Sequence, residues 1–386
     1  MPSSAMRSPA DLQLIDHARS RGVTVSAKQL ASWRSGGLLP GNIPKGLGQG
    51  LGSTSRPRPE AFDLVIGLAR HAGSGRRPSD LALLLFGERL PVPEATVRAA
   101  FRDAVSITLA AEKAALRDSD DEVMTEEERV ARVADQVVAS GQRVTLVPAR
   151  ARRIDERISR YLRERGQPPA PPQLAELDPN PAPSPLTPAD ATFNAVTALL
   201  TGGADITPQS LGDHFRALQP GPSTGPNPLA YLAESTFQDA PDAHAVFDPA
   251  GGFSIVPAGD VRETLRELVD TAPLDDLYTA WEASQGVQDW ALELCDRVEA
   301  ELDADRLGEA AVEWMQVRML PSNLWLLSAL RDRRWSPADH AQSAVQLLAM
   351  GHWMGAVDER VSGAQWDLLD LPGMLPPPLR ELLRRM

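Results

Sequence analysis

Residues Leu30 to Pro59, LASWRSGGLLPGNIPKGLGQGLGSTSRPRP, begin as a short helix and then stop being one. Gly36-Gly37 breaks the helical pattern, and Gly41, Gly46, Gly48, Gly50 and Gly52 follow within a loop that also carries Lys45, Arg56 and Arg58. No Asp or Glu occurs in the stretch. Glycine lets a backbone come close to another surface, and cations without acidic neighbours keep their full charge for a partner. A helix rich in hydrogen-bond donors that runs into such a loop suits the grip of a nucleic-acid duplex.

The flanking residues supply the rest of such a module. Asp11 to Arg21 (DLQLIDHARSR) brings Leu12, Ile15 and Ala18 near one helical face and stops at Gly22. Val23-Thr24-Val25 reads as a turn, Ser26 as an N-cap, and Ala27 to Ser35 as a second helix, which together make a helix-turn-helix. Lys28, Gln29, Ser32 and Arg34 give that second helix donors for phosphate anchoring and limited major-groove reading. Trp33 has two readings, a stacking contact on a sugar or phosphate edge and a buried anchor for the first helix. In the loop, Lys45, Gln49, Ser53, Ser55, Arg56 and Arg58 are the candidate contacts. Glu60–His71, Ser79–Leu90 and Glu94–Leu116 read as three further helices with broad apolar faces that supply a core.

Charge divides the chain in two. Residues 166–386 hold 13 Arg and no Lys against 32 Asp and Glu, a net of −19, which leaves +6 for residues 1–165 out of the chain's −13. A basic head and an acidic body are the asymmetry expected of a DNA-binding module joined to a sensing or assembly module. Between them lie an acidic stretch, Asp118 to Glu128, with seven acids and no base, merging into a helical pattern through Val138, and then Ala149 to Arg165 with seven arginines against three acids. The latter reads as a solvated amphipathic helix, with an extra DNA contact as the alternative. Nine prolines in the 23 residues from Gly166 to Pro188 favour an extended linker.

The C-terminal half reads as mostly helical. Its exception is Ala243 to Pro257, where two short apolar runs flank DPAGG and give a hairpin signal. Helical patterns follow at Asp260–Thr271, Pro273–Ala283, Val287–Leu302, Arg306–Met319, Ser322–Arg331, Pro337–Met350 and Pro377–Arg385. Seven of the eight tryptophans lie here, and they read as core residues, with a pocket for a flat or cationic ligand as the alternative.

From Ser26 to about Val97 the sequence resembles the DNA-binding domain of the MerR family of bacterial transcription regulators. That pattern has a turn, a Leu-Arg-Tyr-Tyr type helix, a Gly-Leu-Leu-Pro exit, a wing with arginine and glycine, and a helix pair. Leu30 matches the leucine, Trp33 stands at the second aromatic, and Gly37-Leu38-Leu39-Pro40 matches the exit. Ala31 replaces the family arginine and Ser32 the first aromatic, with Arg34 one turn later as a substitute charge. The resemblance implies a winged helix-turn-helix and places Lys28 and Gln29 on the side that reads bases or phosphate.

Other chemistries find little support. The six histidines are scattered, and the sequence holds no GxSxG, HExxH, phosphate loop or dinucleotide fingerprint. The single cysteine, Cys295, excludes a disulfide within the chain and any zinc spacing based on paired cysteines. No apolar run reaches the length of a membrane span, and no signal-peptide core is evident, so a cytoplasmic, non-enzymatic protein without cofactor or metal is expected. The expected fold is mainly α: a winged helix-turn-helix over 1–117, a helical connector over 118–165, a Pro-rich linker over 166–188, and an acidic helical effector or interaction domain over 189–386 with one short β-hairpin. The expected function is a DNA-binding transcriptional regulator. Its partners would be double-stranded DNA, a second copy of the chain through Pro93–Leu116 or Glu126–Val138, and RNA polymerase or a small-molecule effector. The alternatives are an architectural or recombination accessory DNA-binding protein and a protein-interaction adaptor that uses the helix-turn-helix.

Overall fold

The computed structural model describes residues 8–46, 53–73, 76–117, 149–166, 183–187, 207–218, 261–319, 334–360 and 375–385, with a few positions between 190 and 253 and Leu330. These residues are mainly helical. The strands among them form two separate two-stranded antiparallel hairpins.

At the N-terminal end, α1 (Pro9–Ser20) is opened by Ser8, whose Oγ accepts from the Asp11 N–H at 3.1 Å. It buries Ala10, Leu14, Ile15 and Ala18, a helical stripe. Helix α2 (Ala27–Ser35) is opened by a reciprocal cap: Ser26 Oγ accepts from the Gln29 N–H at 3.2 Å, and Gln29 Oε1 accepts from the Ser26 N–H at 2.9 Å. Its inner face is Leu30 and Trp33, one turn apart and both buried. The chain leaves α2 through Gly36 and Gly37. Gly37 has φ +71°, a conformation that disfavours any residue with a Cβ.

The glycine-rich stretch contains a hairpin, β1 (Ile43–Gly46) with β2 (Ser53–Arg56), whose register pairs Ile43 with Arg56 and Lys45 with Thr54. Its turn, residues 47–52, lies outside the described set. Helices α3 (Glu60–His71), α4 (Pro78–Gly87) and α5 (Glu94–Arg117) follow, close to the boundaries that periodicity predicts. Leu14, Leu30, Leu64, Leu68, Leu83 and Leu85 are essentially sealed from solvent. Each such side chain contributes about 1.5–3 kcal/mol relative to exposure.

Further along lie α6 (Ala149–Arg165), α7 (Pro208–Leu218), the hairpin β3 (Phe247–Asp248) with β4 (Gly252–Phe253), and α8 (Val261–Thr271). They are followed by α9 (Leu274–Gln285), α10 (Val287–Asp303), α11 (Glu309–Met319), α12 (Pro337–Arg360) and α13 (Pro377–Arg385). The β3–β4 hairpin falls where the DPAGG signal put it. Sequence periodicity missed α7. Ser322–Arg331 falls mostly outside the described residues, as do the acidic stretch, the pattern through Val138, and most of the Pro-rich linker.

Helix packing runs across the expected end of the first module at residue 117. Helix α5 lies against α8 and α12, and α4 lies against α9 and α12, so helices from both ends of the chain share one buried core. The rings of Phe86 and Phe101 meet the Trp281 indole edge-on, at centroid distances of 6.4 and 6.2 Å. A Cβ on Gly87 would stand 2.4 Å from Trp281 Nε1, so the close approach of α4 to α9 depends on glycine. Arg98 of α5 donates to the carbonyls of Val269 and Ala272 at the end of α8, and Arg102 pairs with Asp270 at 2.6 Å. A cation at a helix C-terminus is favoured by the helix dipole. Pro93–Leu116, a candidate dimerisation helix by sequence, therefore has Val97, Ala100, Phe101, Ala104 and Val105 buried within its own chain.

Helix α6 is docked rather than free in solvent. Ala151, Ile154, Ile158 and Leu162 are buried, α6 lies along α10, and Arg150 and Arg157 pair with Asp296, Glu299 and Asp303. Asp155 accepts from Trp314 Nε1 at 2.8 Å and pairs with Arg318 at 2.7 Å. The amphipathic pattern is correct: Arg150, Arg157 and Arg165 find acids of the body, while Arg152, Arg153, Arg160 and Arg163 are exposed without an ion-pair partner among the described residues. Trp281, Trp290 and Trp314 are core residues, which removes them as the walls of an open pocket. Burial pushes the Cys295 thiol up to about 12, against an opposing pull from Arg150, so it is a packing residue and not a reactive one.

Candidate nucleic-acid interface

Two buried residues fix how α2 presents itself. With Leu30 and Trp33 turned into the core, Lys28, Ala31, Ser32 and Ser35 fall within an arc of about 100° on the opposite side, and all four are exposed. Trp33 is 5% exposed, which leaves it the anchoring role and removes the stacking one. No Asp or Glu occurs between Asp16 and Glu60, so this surface is acid-free along the chain.

Arg34 differs from the sequence expectation. Its guanidinium pairs with Asp11 of α1 at 2.6 Å and donates to Asn42 Oδ1 at 3.1 Å, with the side chain only 21% exposed. The arginine ties α1, α2 and the segment leading into β1 together. Its charge is paired with Asp11 and is not free to stand in for an arginine at the position of Ala31. Gln29 is exposed, but its Oε1 accepts from both the backbone N–H and the hydroxyl of Ser26, each at 2.9 Å. Its amide oxygen is a helix cap. The Ser-x-x-Gln spacing that announces such a cap was present in the sequence.

In the hairpin, antiparallel pairing sets residues directly opposite each other on the same face. Ile43, Lys45, Thr54 and Arg56 share one face and Pro44 and Ser55 the other. Strand β2 lies against α1, which couples the hairpin to the helix pair. Lys45, Arg56 and Arg58 are exposed, while Thr54 and Ser55 are half-buried. Gln49 lies outside the described residues, and Ser53 is placed in β2 by its backbone alone. Lys28, Lys45, Arg56 and Arg58 have no ion-pair partner among the described residues, in contrast to Arg34, Arg98 and Arg102.

A second polar link sets the exit of α2. Thr96 Oγ1 donates to the Gly37 carbonyl at 2.9 Å, joining the turn after α2 to the first turn of α5. The module of α2 and hairpin is thus held at three points: the Trp33 contact, the Asp11-Arg34-Asn42 group and the Thr96 bond. Among the described residues, no three His, Cys, Asp or Glu side chains converge as a metal site would require. No helix among them is long and apolar enough to cross a membrane. No family model matches the chain, and no curated protein or solved structure does either.

Proposed function

We propose that residues 9–117 act as a winged helix-turn-helix on double-stranded DNA, with α2 lying in the major groove and the β1–β2 hairpin serving as the wing. The chain is read as a regulator whose C-terminal helices hold this head through α4 and α5. One observation carries the reading: Lys28, Lys45, Arg56 and Arg58 are exposed and without ion pairs among the described residues, in a stretch that has no acid from Asp16 to Glu60. In a chain of net charge −13, four uncompensated cations on one helix, one hairpin and its flank are a local attraction for phosphate against a general repulsion. The groove of B-DNA, about 12 Å wide, admits a helix of this kind.

The test uses the full chain and a fluorescent duplex. Binding that falls steeply as salt rises from about 50 to about 200 mM is the expected result. No binding at the lower salt would sink the DNA reading in favour of a protein-contact role for the helix-turn-helix.

A further inference from the structure

Which side chains of α2 are free to read bases decides what kind of DNA the head selects. Major-groove discrimination comes chiefly from side chains that make two hydrogen bonds to one base: Arg or Lys to guanine, Asn or Gln to adenine, Asp or Glu accepting from cytosine. Helix α2 contains one Gln, one Arg, one Lys and no Asn, Asp or Glu. Gln29 would need its amide oxygen to accept from adenine, and that oxygen already takes both Ser26 donors at 2.9 Å. Arg34 would need two free nitrogens side by side, and its Nη2 gives its hydrogens to Asp11 and Asn42 while its Nε is buried and without a partner, which leaves only Nη1. Gln29 and Arg34 are therefore used inside the protein.

What remains on the outer arc is modest. Lys28 is a point charge at the start of the helix, where a phosphate suits it as well as a guanine does. Ser35 donates its hydroxyl to the Ser32 carbonyl at 2.8 Å, Ser32 offers a single hydroxyl, and Ala31 offers a methyl. Lys45, Arg56 and Arg58 belong to the hairpin and its flank, where contacts position the protein on the backbone.

Building on the DNA reading above, we infer that this head holds duplex DNA with little regard to base sequence, so that its place on a genome is set by DNA shape or by what the rest of the chain binds. A good bidentate contact discriminates roughly 5- to 150-fold against the wrong base, and on α2 only Lys28 is left to offer one, in competition with phosphate.

The experiment is selection by the full chain from a randomised duplex pool at physiological salt, followed by direct affinities for the most enriched duplex and a scrambled one. A ratio under about 20-fold is expected, and a larger ratio overturns the inference while leaving DNA binding intact. Gln29→Glu provides the second arm, because glutamate serves the same capping position and keeps the helix start formed. It is expected to weaken binding by the same factor on both duplexes, through added negative charge alone. Loss in this variant of a base preference that the parent chain shows at one position would show that Gln29 reads DNA and would also overturn the inference. No binding to any duplex at low salt removes the DNA reading and this inference together.

Discussion

Gly37→Ala tests the joint between α2 and α5 on which the aim of the head depends. Gly37 has φ +71°, and a left-handed backbone costs an L-residue roughly 1–2 kcal/mol. A Cβ there would stand 2.8 Å from Thr96 Oγ1, closer than real contacts allow, so Thr96 must rotate away. Rotation forfeits the 2.9 Å bond from Thr96 Oγ1 to the Gly37 carbonyl, which is worth about 1 kcal/mol. Gly37→Ala should therefore cost about 2–3 kcal/mol, and Thr96→Ala alone about 1 kcal/mol. The double variant should cost no more than Gly37→Ala by itself, since the bond can be lost only once; the cycle should close with about 1 kcal/mol of coupling. Urea unfolding of the four proteins, read from the midpoint at constant slope, gives these numbers. A Gly37→Ala cost below about 0.5 kcal/mol, or fully additive losses, would refute the reasoning.

Three further outcomes follow from the same structure. Asp155→Ala leaves Trp314 Nε1 and the largely buried Arg318 without their acceptor and should lower stability by about 3 kcal/mol in thermal or urea unfolding; a change under about 1 kcal/mol contradicts that account. Arg34→Met should cost about 2 kcal/mol of stability yet leave the salt slope of DNA binding unchanged, because the charge it removes is already paired with Asp11. A shallower slope would mean that Arg34 reaches phosphate after all. His340 is held below the usual histidine range chiefly by burial, against opposing pulls from the Ser284 backbone and Asp339. The unfolded chain then binds the proton more tightly, so stability should be level above about pH 6.5 and fall as pH drops below it. His340→Gln should flatten that fall; an unchanged pH dependence of the urea midpoint places its cause elsewhere.

Local signals were legible in the sequence to the extent that they are local. Ser26 as a cap, the Gly36-Gly37 stop, the bounds of Glu60–His71 and Pro377–Arg385, and the hairpin about DPAGG all rest on residues within one or two turns of each other, and all recur in the fold. The β1 and β2 strands were harder to read. IPKG and STSR carry little of the β-branched alternation that marks a strand, and their pairing follows from the context of α1. The site was legible as a charged surface and misread in two of its members. Arg34 is neutralised by a partner 23 residues away, a contact that no periodicity reveals. Gln29 carried its explanation in the Ser-x-x-Gln spacing, which competed with a base-reading role. The docking of the C-terminal helices on α4 and α5 lies wholly outside sequence reach, because Arg98 meets Ala272 across 174 residues.

The central claim is that Lys28, Lys45, Arg56 and Arg58 meet phosphate. The measurement that bears on it most directly is the slope of log affinity against log salt for the full chain on one duplex, compared with the variant in which all four are alanine. Each phosphate contact contributes about 0.9 to that slope, so the variant should lose up to about 3.6 and retain its fold by circular dichroism. A folded variant with the affinity and slope of the parent chain would show that these four cations do not form the interface.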